Sequence, residues 1–231
     1  MNYYPVNLDL QDLKVLVVGG GEVAARKVKR LLLTEANITI VSPEINDQIK
    51  QFIANNKIKY FKRKFIPSDL EGVFLVIAAT NCPDTNSNIG HLANKKNKLV
   101  NIVDNRQLSN LILPSVVNRG DLLITIATGG NAPALSKEIR KKLEMEFGSE
   151  YEDFLRIMGS LRKEIKNKVK SQKRRRNIFD RLADLEIISK FKKSRETGLD
   201  YIQEILKKEF KIETIREDNK YIKLKVNDRD L

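Results

Sequence analysis

The stretch VLVVGGGEVAARKVKRLL, residues 15–32, constrains the fold more than any other: an apolar run, three successive glycines, then apolar residues at helical spacing. A strand that turns on glycine straight into an amphipathic helix is the opening unit of a parallel α/β sheet. Gly19, Gly21 and Ala24 satisfy the G-x-G-x-x-G/A spacing. Gly19 permits the sharp turn, Gly21 lets the backbone approach a pyrophosphate, and Ala24 lets the helix lie close on the strand. Glu22 and Val23 open a helix whose free N–H groups favour bound phosphate. A carboxylate at that point repels phosphate, so the Glu22 side chain is expected in solvent.

Such a turn expects an acidic residue about 20 positions on, at the end of the second strand, to hold the adenosine ribose. Here the strand ends Ile40-Val41 and continues Ser42-Pro43-Glu44. Ser42 occupies the acid's usual place, and Glu44 is the carboxylate that can substitute for it. No arginine follows immediately to receive a 2′-phosphate, which favours NAD over NADP as the cofactor.

The remaining pattern extends the same architecture. VLVV (15–18), ITIV (38–41), KYF (59–61), VFLVIAAT (73–80) and LVNIV (99–103) read as successive strands, with helices over 22–35, 44–55 and 84–97. Two β-rich segments follow within 111–130 around the turn Asn118-Arg119-Gly120-Asp121, and then the helix ALSKEIRKKLEMEF. From about Gly148 the sequence turns charged and helix-forming, apart from the strand-like KYIKLKV (220–226). The expected organisation is a Rossmann-like parallel-sheet domain over 1–113, a small segment over 114–147 and a basic helical domain over 148–231.

Composition limits the chemistry. The chain has 231 residues, 41% of them hydrophobic, a formal charge of +13, one cysteine (Cys82) and one histidine (His91). A single cysteine excludes an internal disulfide, and one Cys with one His cannot build a metal cage. No apolar stretch approaches the roughly 20 residues needed to cross a bilayer. The start MNYYPVNLDLQDLK lacks a basic segment followed by an apolar one, so the expected location is the cytoplasm. The positive charge suits a polyanionic partner. Nucleic acid is the weakest candidate, because the run Lys173-Arg174-Arg175-Arg176 has few aromatics beside it and reads first as a solvated helix face.

Several polar positions fall where ligands bind in such sheets. Asp104 closes LVNIVD at the carboxyl edge, a place equally suited to a general base and to an aspartate that caps the next turn. Ala79-Thr80-Asn81 ends the fourth strand, where it either borders the expected cofactor or simply leads into a turn at Pro83-Asp84. Thr128-Gly129-Gly130-Asn131 forms a second glycine turn before a helix, able to hold a carboxylate or simply to start the helix at Pro133. Cys82 has no base at readable spacing, and His91 lies in a helical pattern; neither receives a role.

The ordered set YYPVNLDL, VVGGGEVAARKVKRLL, VSPE, IAAT, VNIVD, LPSVV and TIATGGNAPALSKEIR resembles the precorrin-2 dehydrogenase family over residues 1 to about 147. The resemblance implies NAD-dependent oxidation of precorrin-2, a tetrapyrrole polycarboxylate, to sirohydrochlorin. In some members Fe²⁺ is then inserted to give siroheme. It also implies a homodimer built through the segment after the Rossmann-like domain, and an aspartate at the end of VNIVD that serves both reactions. Where the family usually carries serine, this chain has Thr128, which keeps the hydroxyl and adds a methyl. The competing expectation is a regulatory module that senses NAD without chemistry. Such a module needs the first glycine turn but has no use for Asp104 or the TGGN turn.

Overall fold

The computed structural model describes residues 3–56, 58–103, 105–217 and 221–225. The chain forms two compact units, up to Leu113 and from Pro114 onward. In the first, β1 (Lys14–Val18), α1 (Glu22–Leu31), β2 (Asn37–Val41), α2 (Asp47–Asn55), β3 (Lys59–Phe61), β4 (Leu75–Ala78), α3 (Pro83–Lys95) and β5 (Leu99–Ile102) alternate. Their strands make one sheet in the order β3-β2-β1-β4-β5, with every neighbour parallel. This is the expected Rossmann-like sheet. The chain order reverses between β1 and β4, which opens a crevice at their carboxyl ends.

The sequence explains the layering. β1 and β4 are apolar at successive positions because both faces are covered. Val15 and Val17 pack with α1, while Leu16 and Val18 belong to the opposite core with Ile89 and Ala93 of α3. On α1, Ala24, Ala25, Val28 and Leu31 are buried, a single stripe at helical spacing.

Boundaries shift where side chains intervene. α1 stops at Leu31 rather than running to 35, because the hydroxyl and backbone N–H of Thr34 both turn back to the Leu31 carbonyl. α2 starts at Asp47 rather than at 44, since the Asn46 side chain accepts the Ile49 N–H and caps it there. β4 spans four residues, and Thr80 lies beyond its end.

The second unit begins with the hairpin β6 (Ser115–Arg119) and β7 (Leu122–Ile126), turned on Gly120 at φ 64°, followed by α4 (Pro133–Glu146). Then come α5 (Glu150–Lys168), α6 (Gln172–Leu182), α7 (Leu185–Lys193) and α8 (Arg195–Phe210), closed by the antiparallel pair β8 (Glu213–Glu217) and β9 (Tyr221–Lys225). Phe154, Ile157, Leu161 and Ile165 present one face of α5 to Ile178, Ile187, Phe191, Ile202, Leu206 and the strand residues Ile222 and Leu224. The strand-like end of the sequence is therefore a strand, but its partner β8 carried no recognisable signal.

Basic residues in this unit serve the helix ends. Arg119 donates to the Glu144 and Phe147 carbonyls at the end of α4, Arg175 to those of Val169 and Lys170 after α5, and Arg174 to Phe210 at the end of α8. A guanidinium there satisfies orphan carbonyls and opposes the negative end of the helix dipole. The run 173–176 is thus only in part a solvated face.

Candidate functional site

A cleft of about 920 Å³ lies at the carboxyl ends of β1, β2 and β4. Its walls include Gly19, Gly20, Gly21, Ser42, Pro43, Glu44, Lys64, Thr80, Asn81 and Cys82. The three glycines differ in what fixes them. Gly19 has φ 122°, and a Cβ there would stand 2.3 Å from the Ala79 carbonyl oxygen. At Gly20 a Cβ would stand 1.8 Å from the Glu44 carbonyl oxygen. At Gly21 nothing of the protein lies within 4 Å. The protein therefore requires glycine at 19 and 20 for its own packing, while at 21 the open space belongs to the cleft.

Gly21 is also the N-cap of α1 and has no side chain to satisfy the first N–H groups of the helix. An open helix N-terminus beside a glycine loop is a phosphate site, so the residues present fit the pyrophosphate of a dinucleotide.

The structure separates the residues that line this cleft from those that support it. Gly19, Gly21, Ser42, Pro43, Glu44 and Thr80 line it. Ala24 is fully buried beneath it, Val23 packs on the core and Glu22 is exposed on the first turn of α1. Ser42 is buried, and its hydroxyl donates to the Glu44 carbonyl at 2.5 Å. That hydroxyl holds the bend after β2 and is already engaged there. Glu44 is the acidic residue on this part of the wall, and Lys64 lines the same cleft.

On the far wall, Thr80 is held by Asn86 of α3 through three hydrogen bonds of 2.8 to 3.2 Å. Cys82 is exposed at the N-cap of α3, and hydrogen bonds from the Thr85 hydroxyl and backbone hold its thiol below the usual range.

Ala79 and Asn81 line the cleft with Thr80, as the sequence suggests, whereas sequence reading missed Gly20, Lys64 and Asn86. Gly20 falls on a free position of the fingerprint, and only its spatial neighbour Glu44 gives it meaning. Asp104 lies outside the described residues; Val103 before it donates its N–H to Ala78 at 2.9 Å and so continues the sheet edge.

In the second unit, Thr128, Gly129, Gly130 and Asn131 form one turn. Gly129 and Gly130 have φ 62° and 82°, and the Thr128 hydroxyl accepts the Ala132 N–H at 3.3 Å before Pro133 starts α4. Thr128 thus serves the helix entry.

Residues 6–115 match the family described as putative NAD(P)-binding. The fold is similar to the solved structure of SirC, precorrin-2 dehydrogenase, at 30% identity and a TM-score of 0.73, over 87% of this chain and 100% of that one. The chain belongs to the precorrin-2 dehydrogenase family.

Siroheme synthase 3 of Aeromonas hydrophila is 36% identical over 182 residues, 79% of this chain and 39% of that protein. Siroheme synthase 1 of Pectobacterium atrosepticum is 38% identical over 182 residues, 79% of this chain and 38% of that protein. The chain thus spans about two-fifths of the length of these curated relatives. No helix among the described residues is long and apolar enough to cross a membrane.

Proposed function

We propose that this protein oxidises precorrin-2 to sirohydrochlorin with NAD. The observation that carries this is the match over the whole length of SirC, a precorrin-2 dehydrogenase. A regulatory NAD sensor is the weaker reading, since the likeness to a dehydrogenase extends well past the nucleotide cleft.

The residues divide the work. Gly21 and the open N-terminus of α1 receive the pyrophosphate, Glu44 the adenosine ribose, and the turn at Thr80 the nicotinamide side of the cleft. Bound there, NAD supplies the hydride acceptor. Asp104, next in sequence after the last described residue of the sheet edge, takes the proton that leaves the macrocycle as hydride departs. A carboxylate in this role must be ionised and within hydrogen-bond reach of that proton. The backbone of Gly129 and Gly130 receives a substrate carboxylate, and the excess of cations draws the polycarboxylate in.

The names of the curated relatives speak for a metallated product, so Fe²⁺ enters this proposal as a second substrate, inserted into sirohydrochlorin with the help of the same carboxylate.

A homodimer completes the assembly. Across β6, β7 and α4 only Val117 and Ser136 are buried, whereas Leu123, Leu135 and Met145 are 46%, 54% and 76% exposed. A two-stranded hairpin with one helix needs further apolar cover to be stable, and a second copy supplies it symmetrically. A cytoplasmic setting agrees with the single free thiol at Cys82.

Purified protein incubated with precorrin-2 and NAD, with and without Fe²⁺, tests the whole reading. NADH and sirohydrochlorin should appear together, and the siroheme spectrum only with iron. Absence of NADH formation by folded protein overturns the dehydrogenase reading.

A further inference from the structure

Asn86 is a buried polar side chain, 8% exposed, on the first turns of α3. Its Oδ1 accepts the Thr80 N–H at 3.2 Å and the Thr80 hydroxyl at 2.8 Å, and its Nδ2 donates to the Thr80 carbonyl at 3.0 Å. The sheet explains the need. Ala79 still donates to Val18 at 2.8 Å across the β4–β1 pair. One residue on, the N–H and C=O of Thr80 both turn to the Asn86 carboxamide. A planar amide offers one acceptor and one donor at peptide spacing, so it stands in for a neighbouring strand.

The peptide that Asn86 holds has a second neighbour. Gly19 leans on it so closely that a Cβ there would lie 2.3 Å from the Ala79 oxygen and 3.1 Å from the Thr80 nitrogen. The glycine loop on one side of the crevice and the Thr80 turn on the other therefore share one anchored peptide.

We propose that Asn86 is a positioning residue for the dinucleotide, acting through the Ala79–Thr80 peptide to set both walls of the cleft before the cofactor arrives. It does not line the cleft itself. Preorganisation of this kind appears in affinity, because a wall that must be ordered on binding draws on the binding free energy. This rests on the NAD reading of the cleft.

Asn86→Leu and Asn86→Asp test it, with NAD affinity measured by calorimetry and folding by thermal melting. Leu removes all three bonds and should weaken NAD binding by about tenfold, the scale of a lost buried hydrogen bond. Asp keeps the acceptor for the Thr80 N–H and hydroxyl but sets a carboxylate oxygen against the Thr80 carbonyl, which raises its pKa. Once protonated it can donate as the amide does. The Asp variant should therefore be weak at about pH 8 and recover towards wild type at about pH 5, beyond any change in wild type measured alongside.

Of the elements packed against α3, β4 and β5 carry no ionisable side chain, and the 3₁₀ turn Pro67–Leu70 brings Asp69, bonded to Arg63. Asp84, His91 and Lys95 lie on α3 itself, and Cys82 precedes it. Wild type shares all of these groups.

NAD affinities within twofold of wild type in both folded variants overturn the proposal. So does loss of fold in both variants at both pH values, or a weakening of the Asp variant that acid leaves unchanged, since each is what a purely structural role produces. If wild-type protein fails to bind NAD, the NAD reading of the cleft fails, and this inference with it.

Discussion

The carbonyl oxygen of Glu44 occupies the space that a side chain at Gly20 would need, 1.8 Å from the ideal Cβ position. The same stretch is fastened twice more: the Asn46 N–H donates to the Gly20 carbonyl at 2.9 Å, and the Ser42 hydroxyl to the Glu44 carbonyl. The exit of β2 and the glycine loop are thus one packed body. Gly20→Ala should destabilise the fold by about 1–3 kcal/mol, the usual cost of overpacking. Gly21→Ala, at φ −85° with open space around it, should change stability by less than about 0.5 kcal/mol and weaken NAD binding instead. Urea melts and NAD titration of both variants check the contrast, which equal loss of stability would erase.

Asp104→Asn keeps the shape of the side chain and loses its basicity. The expected result is sirohydrochlorin formation slowed by roughly a hundredfold or more, with NAD affinity and melting temperature unchanged. If Asp104 only caps a turn, asparagine serves as well and the rate stays the same. Stopped-flow or steady-state assays with precorrin-2 decide between the two.

Light scattering should give twice the 26.5 kDa chain mass. The double variant Leu123→Glu, Leu135→Glu places charges on the exposed apolar positions of β7 and α4. It should remain folded and run at the single-chain mass. A wild-type monomer at micromolar concentration counts against the dimer.

Arg175 and Lys173 are two residues apart in one basic run, yet their substitutions should differ. Arg175→Met removes the donor to the Val169 and Lys170 carbonyls and should cost about 1.5–3 kcal/mol. Lys173 is exposed, and Lys173→Met should stay within about 0.5 kcal/mol of wild type. Denaturant midpoints measured side by side check this.

The parts legible in the sequence are those whose cause is local. A strand, a glycine turn and a buried helical stripe announce the sheet, because each depends on spacing within some twenty residues. Ala24 was readable as a close helix contact for that reason. Gly20, Asn86 and Lys64 were not, since each acts through a partner brought near only by the sheet. β8 escaped because Glu-Thr-Ile-Arg-Glu is short and charged. Its definition comes from α8, where Gln203 bonds both Thr214 and Arg216, and from pairing with β9. Ser42 was legible as the residue at the ribose position, but its engagement with Glu44 was not.

The arginines committed to helix ends change what the charge of +13 can accomplish. Arg119, Arg174 and Arg175 hold carbonyls, so the most conspicuous basic run is partly withdrawn from ligand contact. What remains is a diffuse field spread over many surface lysines. A field of that kind acts on encounter: it raises the rate at which a polyanion arrives, and added salt screens it over about 10 Å. The association rate of the tetrapyrrole should accordingly drop with ionic strength, while the residence time of the bound molecule changes little.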